Sequence, residues 1–198
     1  MTLQERTPKP APIEIVGAEG LALKQFTPDD AQTIFDLIEY DRDSLNAFGE
    51  GTANKYPTVD SIKRSIEAPD DPTKLRSGIY DQGIMVGSIN LTPKDEGVAE
   101  VGYWVGGQFV GNGYAAKAVK ELALYAFDVL GLEKLIASAR ADNLASLKTL
   151  ENSGFRLAEI DNAKRTRGFE LYADKDRVSY PPVRVDLDEL SDINRLSL

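Results

Sequence analysis

Between residues 100 and 122 the chain reads EVGYWVGGQFVGNGYAAKAVKEL, an alternating run that breaks into glycines and restarts with helical spacing. No other stretch constrains the fold as much. A strand feeding a helix across so short a turn leaves the first helical amides without intrahelical partners. Together with the helix dipole they form a positive pocket for an anion, and glycine at 111 and 113 lets the backbone turn tightly and come close to a phosphate. An isolated GxG is more often a plain turn into a helix, and GNGYAA also satisfies the dinucleotide pattern GxGxxA. A Rossmann domain opens with such a loop, however, whereas this one follows several strands and lies past the midpoint of the 198-residue chain.

The surrounding pattern gives the order of elements. LALKQF alternates as a strand; TPDDAQTIFDLIEY reads as a helix with Thr27 as cap and Pro28 at its first position, and TVDSIKRSIE as a second helix with a Thr cap. SGIYD, GIMVGSINL and AEVGYWV follow at hairpin distances, an antiparallel meander. From Tyr114, Ala115, Ala118, Val119, Leu122, Ala123, Ala126, Val129 and Leu130 keep helical spacing up to Gly131. KLIASARA is a strand, NLASLKTLENSG a short helix with an Asn cap, and FRLAEI and GFELYAD two further strands. The late strand–helix–strand unit puts parallel strands into an otherwise antiparallel sheet. Residues 1–12 contain Pro8, Pro10 and Pro12 and read as a loose arm, residues 13–173 as one domain, and 174–198 as an extension in which Leu187, Leu190 and Ile193 could share a helix face.

Composition narrows the chemistry. There is no cysteine and no histidine, which excludes a disulfide, a thiolate nucleophile, a His-based triad and an ordinary zinc site, so no metal is expected. Acid–base work then falls to Asp, Glu, Tyr, Lys, a hydroxyl or water. A net charge of −9 without a Lys/Arg cluster argues against nucleic acid and anionic membranes and tilts toward cationic partners such as amines. The N-terminal residues lack the order of a signal peptide, and no apolar run approaches the roughly 20 residues that cross a bilayer, so a cytoplasmic protein is expected, as monomer or homodimer.

On these residues the sequence resembles the GNAT superfamily of N-acetyltransferases, and within it the RimJ/RimL-like ribosomal-protein alanine acetyltransferases. AEVGYWVGGQFVGNGYAAKAV is similar to the family's Q/R-x-x-G-x-G/A acyl-CoA loop through Gln108, Gly111 and Gly113; ADNLASLKTLENSGF looks like its N-x-x-S…GF helix; DRDSLNAF is a looser echo of an acceptor-side segment. The resemblance spans about residues 20 to 173 and implies an α+β GNAT fold, with a mostly antiparallel sheet splayed at two central parallel strands and helices on both faces. It also implies acetyl-CoA as co-substrate. The pyrophosphate would lie on the amides of Val110, Gly111, Asn112, Gly113, Tyr114 and Ala115, and the pantetheine arm along the strand ending at Trp104 and Val105, with Gly106 and Gly107 permitting the strands to diverge. Asn143 would hydrogen-bond the arm.

The implied reaction is direct attack of a primary amine, on a protein N-terminus or a small molecule, on the thioester. A lysine pKa near 10.4 and an α-amino pKa of about 7.7 to 8.0 make proton removal the main demand. Glu100 is the candidate base, by resemblance a water-relaying glutamate; by alternation it shares a face with Gly102 and Trp104, and its alternative reading is a solvated strand-start residue. The oxyanion donor would be an amide near Val105. Leu150 stands where many members carry a tyrosine that protonates the thiolate, and Ser146 matches the serine used by the alanine-acetyltransferase branch, with a helix-surface serine as its alternative. Trp104 and Tyr103 read as core or cofactor-wall residues. DRDSLNAFGEG departs from the tryptophan-rich ending common in the ribosomal branch, and Asp41, Asp43 and Glu50 are either loop acids or a cation site. A non-catalytic acyl-CoA-binding module and a nucleotide-dependent oxidoreductase are the alternatives.

Overall fold

The computed structural model describes residues 14–17, 20–47 and 51–174. The expected N-terminal arm and all but the first residue of the extension lie outside the described residues. The meander appears as β3 (Leu75–Asp81), β4 (Ile84–Pro93) and β5 (Val98–Val105), preceded by β1 (Glu14–Val16) and β2 (Leu21–Gln25). After α5 (Tyr114–Asp128) come β6 (Lys134–Arg140), α6 (Leu144–Asn152), β7 (Arg156–Asp161) and β8 (Thr166–Tyr172). Among the described residues, four α-helices lie between β2 and β3: α1 (Ala31–Tyr40), α2 (Arg42–Ala47), α3 (Thr52–Lys55) and α4 (Val59–Glu67). The sequence pattern indicates only α1 and α4; α2, α3 and β1 are too short to complete a period.

The strands form one eight-stranded sheet in the order β1-β2-β3-β4-β5-β6-β8-β7. Every neighbouring pair is antiparallel except β5 and β6, which are joined through α5, because a chain that returns through a helix re-enters the sheet in the same direction. Alternation sorts side chains onto two faces. Ala99, Val101, Tyr103 and Val105 pack toward α5 with Leu135 and Ala137, whereas Trp104 joins Ile34, Leu37, Ile38 and Ile62 of α1 and α4 on the other face. β4 carries a bulge: Ile79 pairs with Gly87 and Tyr80 with Met85, leaving Val86 unmatched on β3. That extra residue sends Met85 to the α1 side and Val86 to the α5 side.

Helix starts follow the expected caps, with one adjustment. At α4, Ser61 donates its amide to Thr58 Oγ1 (3.1 Å) and Thr58 donates its amide to Ser61 Oγ (3.2 Å). Thr27 precedes a 3-10 turn, Pro28–Asp30, rather than α1 itself. There the Thr27 amide donates to Asp30 Oδ2 (2.7 Å), and the Tyr80 hydroxyl donates to Asp30 Oδ1 (2.9 Å), which joins the start of α1 to β3. Burial and then this carboxylate push the Tyr80 phenol far above its ordinary pKa. Among the described residues no helix is long and apolar enough to cross a membrane.

Leu122 of α5 is 1% exposed between the helix and the sheet. Leu122→Ala is expected to cost about 2–5 kcal/mol of stability, read as a lower urea midpoint at unchanged m-value; a loss below about 1 kcal/mol would show that α5 is not the main cover of this face.

Candidate active site

The parallel pair β5–β6 is bonded only at its beginning. Val98, Ala99 and Glu100 pair with Lys134, Leu135 and Ile136, after which the two strands part. Each keeps its outer neighbour throughout: β5 stays paired with β4 from Ala99 to Val105, and β6 with β8 from Lys134 to Arg140. The parting opens a cleft with a bare strand edge on either side. The Gly106 amide donates to Val86 O (3.0 Å), toward β4. Successive residues of an extended chain turn their amides to opposite edges, so beyond the last bonded pair Tyr103 and Val105 direct theirs into the cleft. The divergence begins at Glu100, well before Gly106 and Gly107, so these glycines do not cause it. A Cβ on Gly107 would lie 2.7 Å from Asp41 Cγ, and one on Gly106 3.3 Å from Leu37 Cδ2. They admit the end of α1 against the turn.

Beyond the cleft, the turn from Gly107 to Gly113 delivers the chain to α5. Gly111 and Gly113 have φ of +85° and +76°, the left-handed region that glycine enters without strain, and a Cβ on either would face open space. Gly113 caps α5 without any side-chain hydrogen bond. The first closure onto this cap is from the Lys117 amide to Gly113 O (3.1 Å), so the amides ahead of it have no intrahelical partner and carry the positive end of the dipole. Tyr114 holds the helix start in place by donating its hydroxyl to Asp81 Oδ2 (2.7 Å), and this bond raises the pKa of its phenol.

Two cavities meet at the cleft. The larger, about 430 Å³, is lined by Trp104, Val105, Val110, Gly111, Gly113, Tyr114, Ala115 and Asn143, together with Asp41, Phe109 and Lys148. The second, about 360 Å³, is lined by Glu100, Lys74, Asn90, Thr92 and Ser138. Tyr103, Trp104 and Ser146 belong to both walls. Of the ten residues expected on the ligand side, eight line the larger cavity; Gln108 and Asn112 do not. Both are exposed, and Asn112 closes the turn by donating Nδ2 to Phe109 O (3.1 Å).

Of the two expected chemical groups, Ser146 lies at this junction and Glu100 on the wall of the second cavity. Asn143 caps α6, its Oδ1 accepting the Ser146 amide (3.1 Å), which fixes Ser146 in the first turn. The Ser146 hydroxyl lies 3.0 Å from the Tyr103 hydroxyl, and the latter also lies within donating distance of Ser146 O (3.2 Å). Tyr103, read from the sequence as a core or cofactor-wall residue, packs against the core and lines both cavities, and its hydroxyl contact with Ser146 is an addition to that reading. Nothing in the sequence links positions 103 and 146; the fold brings them together because β5 and α6 flank the same cleft. Glu100 sits at the last bonded pair, facing the second cavity, and forms an ion pair with Lys94 (2.7 Å). That hydrogen bond, more than the charge alone, raises the pKa of the Lys94 ammonium. Of the three acids around α2, Asp41 packs against Gly107 and lines the larger cavity, Asp43 is exposed, and Glu50 lies outside the described residues.

Comparison with known proteins agrees with this architecture. The family model for the acetyltransferase (GNAT) domain matches residues 21–156. A putative ribosomal N-acetyltransferase of Bacillus subtilis, YdaF, is 28% identical over 145 residues, covering 69% of this chain and 78% of its own. Among solved structures, Mycobacterium smegmatis RimJ in complex with CoA-disulfide superposes with a TM-score of 0.70 at 20% identity, covering 93% of this chain and 94% of that one. The apo ribosomal alpha-N-protein acetyltransferase RimL does so with 0.71 at 15% identity, covering 84% and 99%. A cleft between parting parallel strands, an uncapped helix at its mouth and a matching family model over most of the domain lead to one conclusion: the chain belongs to the GNAT acetyltransferase family.

Proposed function

We propose that the protein transfers the acetyl group of acetyl-CoA directly to a primary amine. The observation that carries this reading is the end of β5–β6 pairing at Glu100 and Ile136, which opens a cleft whose cavity is also lined by the first residues of α5. The chain's own groups fit such a ligand. The α5 amides suit the pyrophosphate, Lys148 on the cavity wall adds a positive charge, and the cleft edge of Tyr103 and Val105 can pair with the amides of the arm as an added strand would. The solved microcin C7 immunity acetyltransferase, described in complex with acetyl-CoA and AMP, has the same fold at 21% identity with a TM-score of 0.65.

Acetyl-CoA supplies a thioester carbon open to attack. Every other requirement falls to side chains and amides of this chain. The Val105 amide points into the cleft, where it can donate to the carbonyl oxygen as that atom gains charge. Glu100, on the second cavity's wall, is positioned to take the amine proton, directly or through a water, while Lys94 holds the carboxylate in place. Tyr103 and Ser146 form a pair with two hydrogen-bonding states. When the phenol donates to Ser146 Oγ, the serine hydroxyl is free to donate to the departing sulfur; when it donates to Ser146 O, the serine hydroxyl turns to the phenol instead. With no cysteine in the chain, an acetyl-thiol enzyme does not form.

Two measurements test these assignments. Glu100→Gln should lower kcat roughly 10²-fold with little change in acetyl-CoA affinity by calorimetry; unaltered turnover removes Glu100 from the mechanism. Ser146→Ala and Tyr103→Phe should each slow release of CoA thiol, and the double variant should be no slower than the worse single one, because both act through one hydrogen-bonded pair. Strictly additive losses would show that the two hydroxyls act separately.

A further inference from the structure

On the face covered by α1 and α4, the register sets up a row across neighbouring strands. Thr92 of β4 lies opposite Glu100 of β5, and Glu100 opposite Ile136 of β6. Lys74 stands one residue ahead of β3, whose first pair is Leu75 with Leu91, so it extends this row beside Thr92. With strands about 4.8 Å apart, the backbones of Lys74 and Glu100 are separated by about 10 Å. The second cavity lies between their side chains, walled also by Asn90, Thr52 and Ser138.

The two charges are held differently. Glu100 is paired with Lys94. The Lys74 ammonium makes no ion pair among the described residues, although the nearby Lys55 is matched by Asp70 (3.5 Å). Asp71, close in sequence, is occupied by the amide and hydroxyl of Thr73. Lys74 is half-buried, and desolvation, followed by repulsion from Arg76 and Lys55, pulls its pKa below the ordinary lysine value. In a chain of net charge −9, it is a partly desolvated cation that feels Glu100 and Asp71 only as weaker, longer-range attractions, and it lines the cavity that also holds the candidate base. An anion placed there gains a charge-assisted hydrogen bond.

The geometry points to an acceptor that carries a side-chain carboxylate in addition to its amine, the side-chain carboxylate held by Lys74 while the amine faces Glu100. The class comprises free amino acids with a second acid group and peptides whose N-terminal amine lies near an acidic side chain. This inference rests on the second cavity being the acceptor's, as the proposed function requires. It goes further in making Lys74 a specificity-determining residue.

The test uses CoA conjugates whose sulfur is joined through an acetyl bridge to the amine of the acceptor: free aspartate, free asparagine, and tripeptides identical but for Asp or Asn at the second position. Calorimetry on the full chain should show the aspartyl conjugate of at least one source binding roughly tenfold more tightly than its asparaginyl partner. Which source shows the preference separates amino acid from peptide. Lys74→Met should bring that ratio to about one, and Lys74→Arg should retain most of it. Equal binding of Asp and Asn conjugates, both tighter than CoA, overturns the carboxylate inference alone. A preference that survives Lys74→Met overturns the role of Lys74. Conjugates that bind no better than CoA itself overturn the acceptor cavity, and with it the reading beneath this inference. With turnover, the aspartyl preference should appear in KM rather than kcat.

Discussion

Hydrogen bonding between β5 and β6 ends after three residue pairs, and the site depends on that interruption. Backbone donors and acceptors in a sheet interior are normally satisfied by the neighbouring strand, and leaving them open is costly unless water or a ligand completes them. Here each strand is secured from its outer side, β5 by β4 and β6 by β8, so the gap does not unravel the sheet. Tyr103, reaching from β5 to Ser146 on α6, spans the opening and fixes how far the helix stands from the strand. The same phenol thus has a structural task and lines both cavities.

Electrostatics complete what the backbone begins. The chain is acidic overall, which would repel a polyanionic ligand, yet the mouth of the cleft presents the bare amides of α5 and the ammonium of Lys148. The attraction is local and oriented; it comes from peptide dipoles whose direction is set by Gly111, Gly113 and the Tyr114–Asp81 bond. Lys74, Lys94 and Glu100 form a second, mixed-sign environment on the opposite wall. One face of the site is therefore suited to an anion and the other to an amine with company.

The sequence showed most of what is periodic or capped. α5 was legible because its apolar residues repeat over several turns, and α4 and α6 because Thr58 and Asn143 precede them. β1, α2 and α3 were not, since three to six residues carry too little pattern. Gly106 and Gly107 were expected to permit the splay, yet it begins at Glu100, and the contact that requires a glycine at 107, with Asp41, joins residues far apart in the chain. Tyr103 was legible as a core or cofactor-wall residue, but its hydroxyl contact with Ser146 was not, because alternation on a strand reports only which face a ring occupies. Lys74 gave no signal, lying just after a proline-rich loop whose alignment with Thr92 and Glu100 exists only once the sheet has formed.

The seating of Asp41 against Gly107 has a mechanical result. Asp41 lies at the joint between α1 and α2, and Gly107 opens the turn that leads to α5. A carboxylate pressed into space that a single methyl group would fill makes these two segments travel together. A side chain at 107 would therefore wedge the α1–α2 joint away from this turn and distort the cavity wall to which Asp41 and Phe109 both contribute.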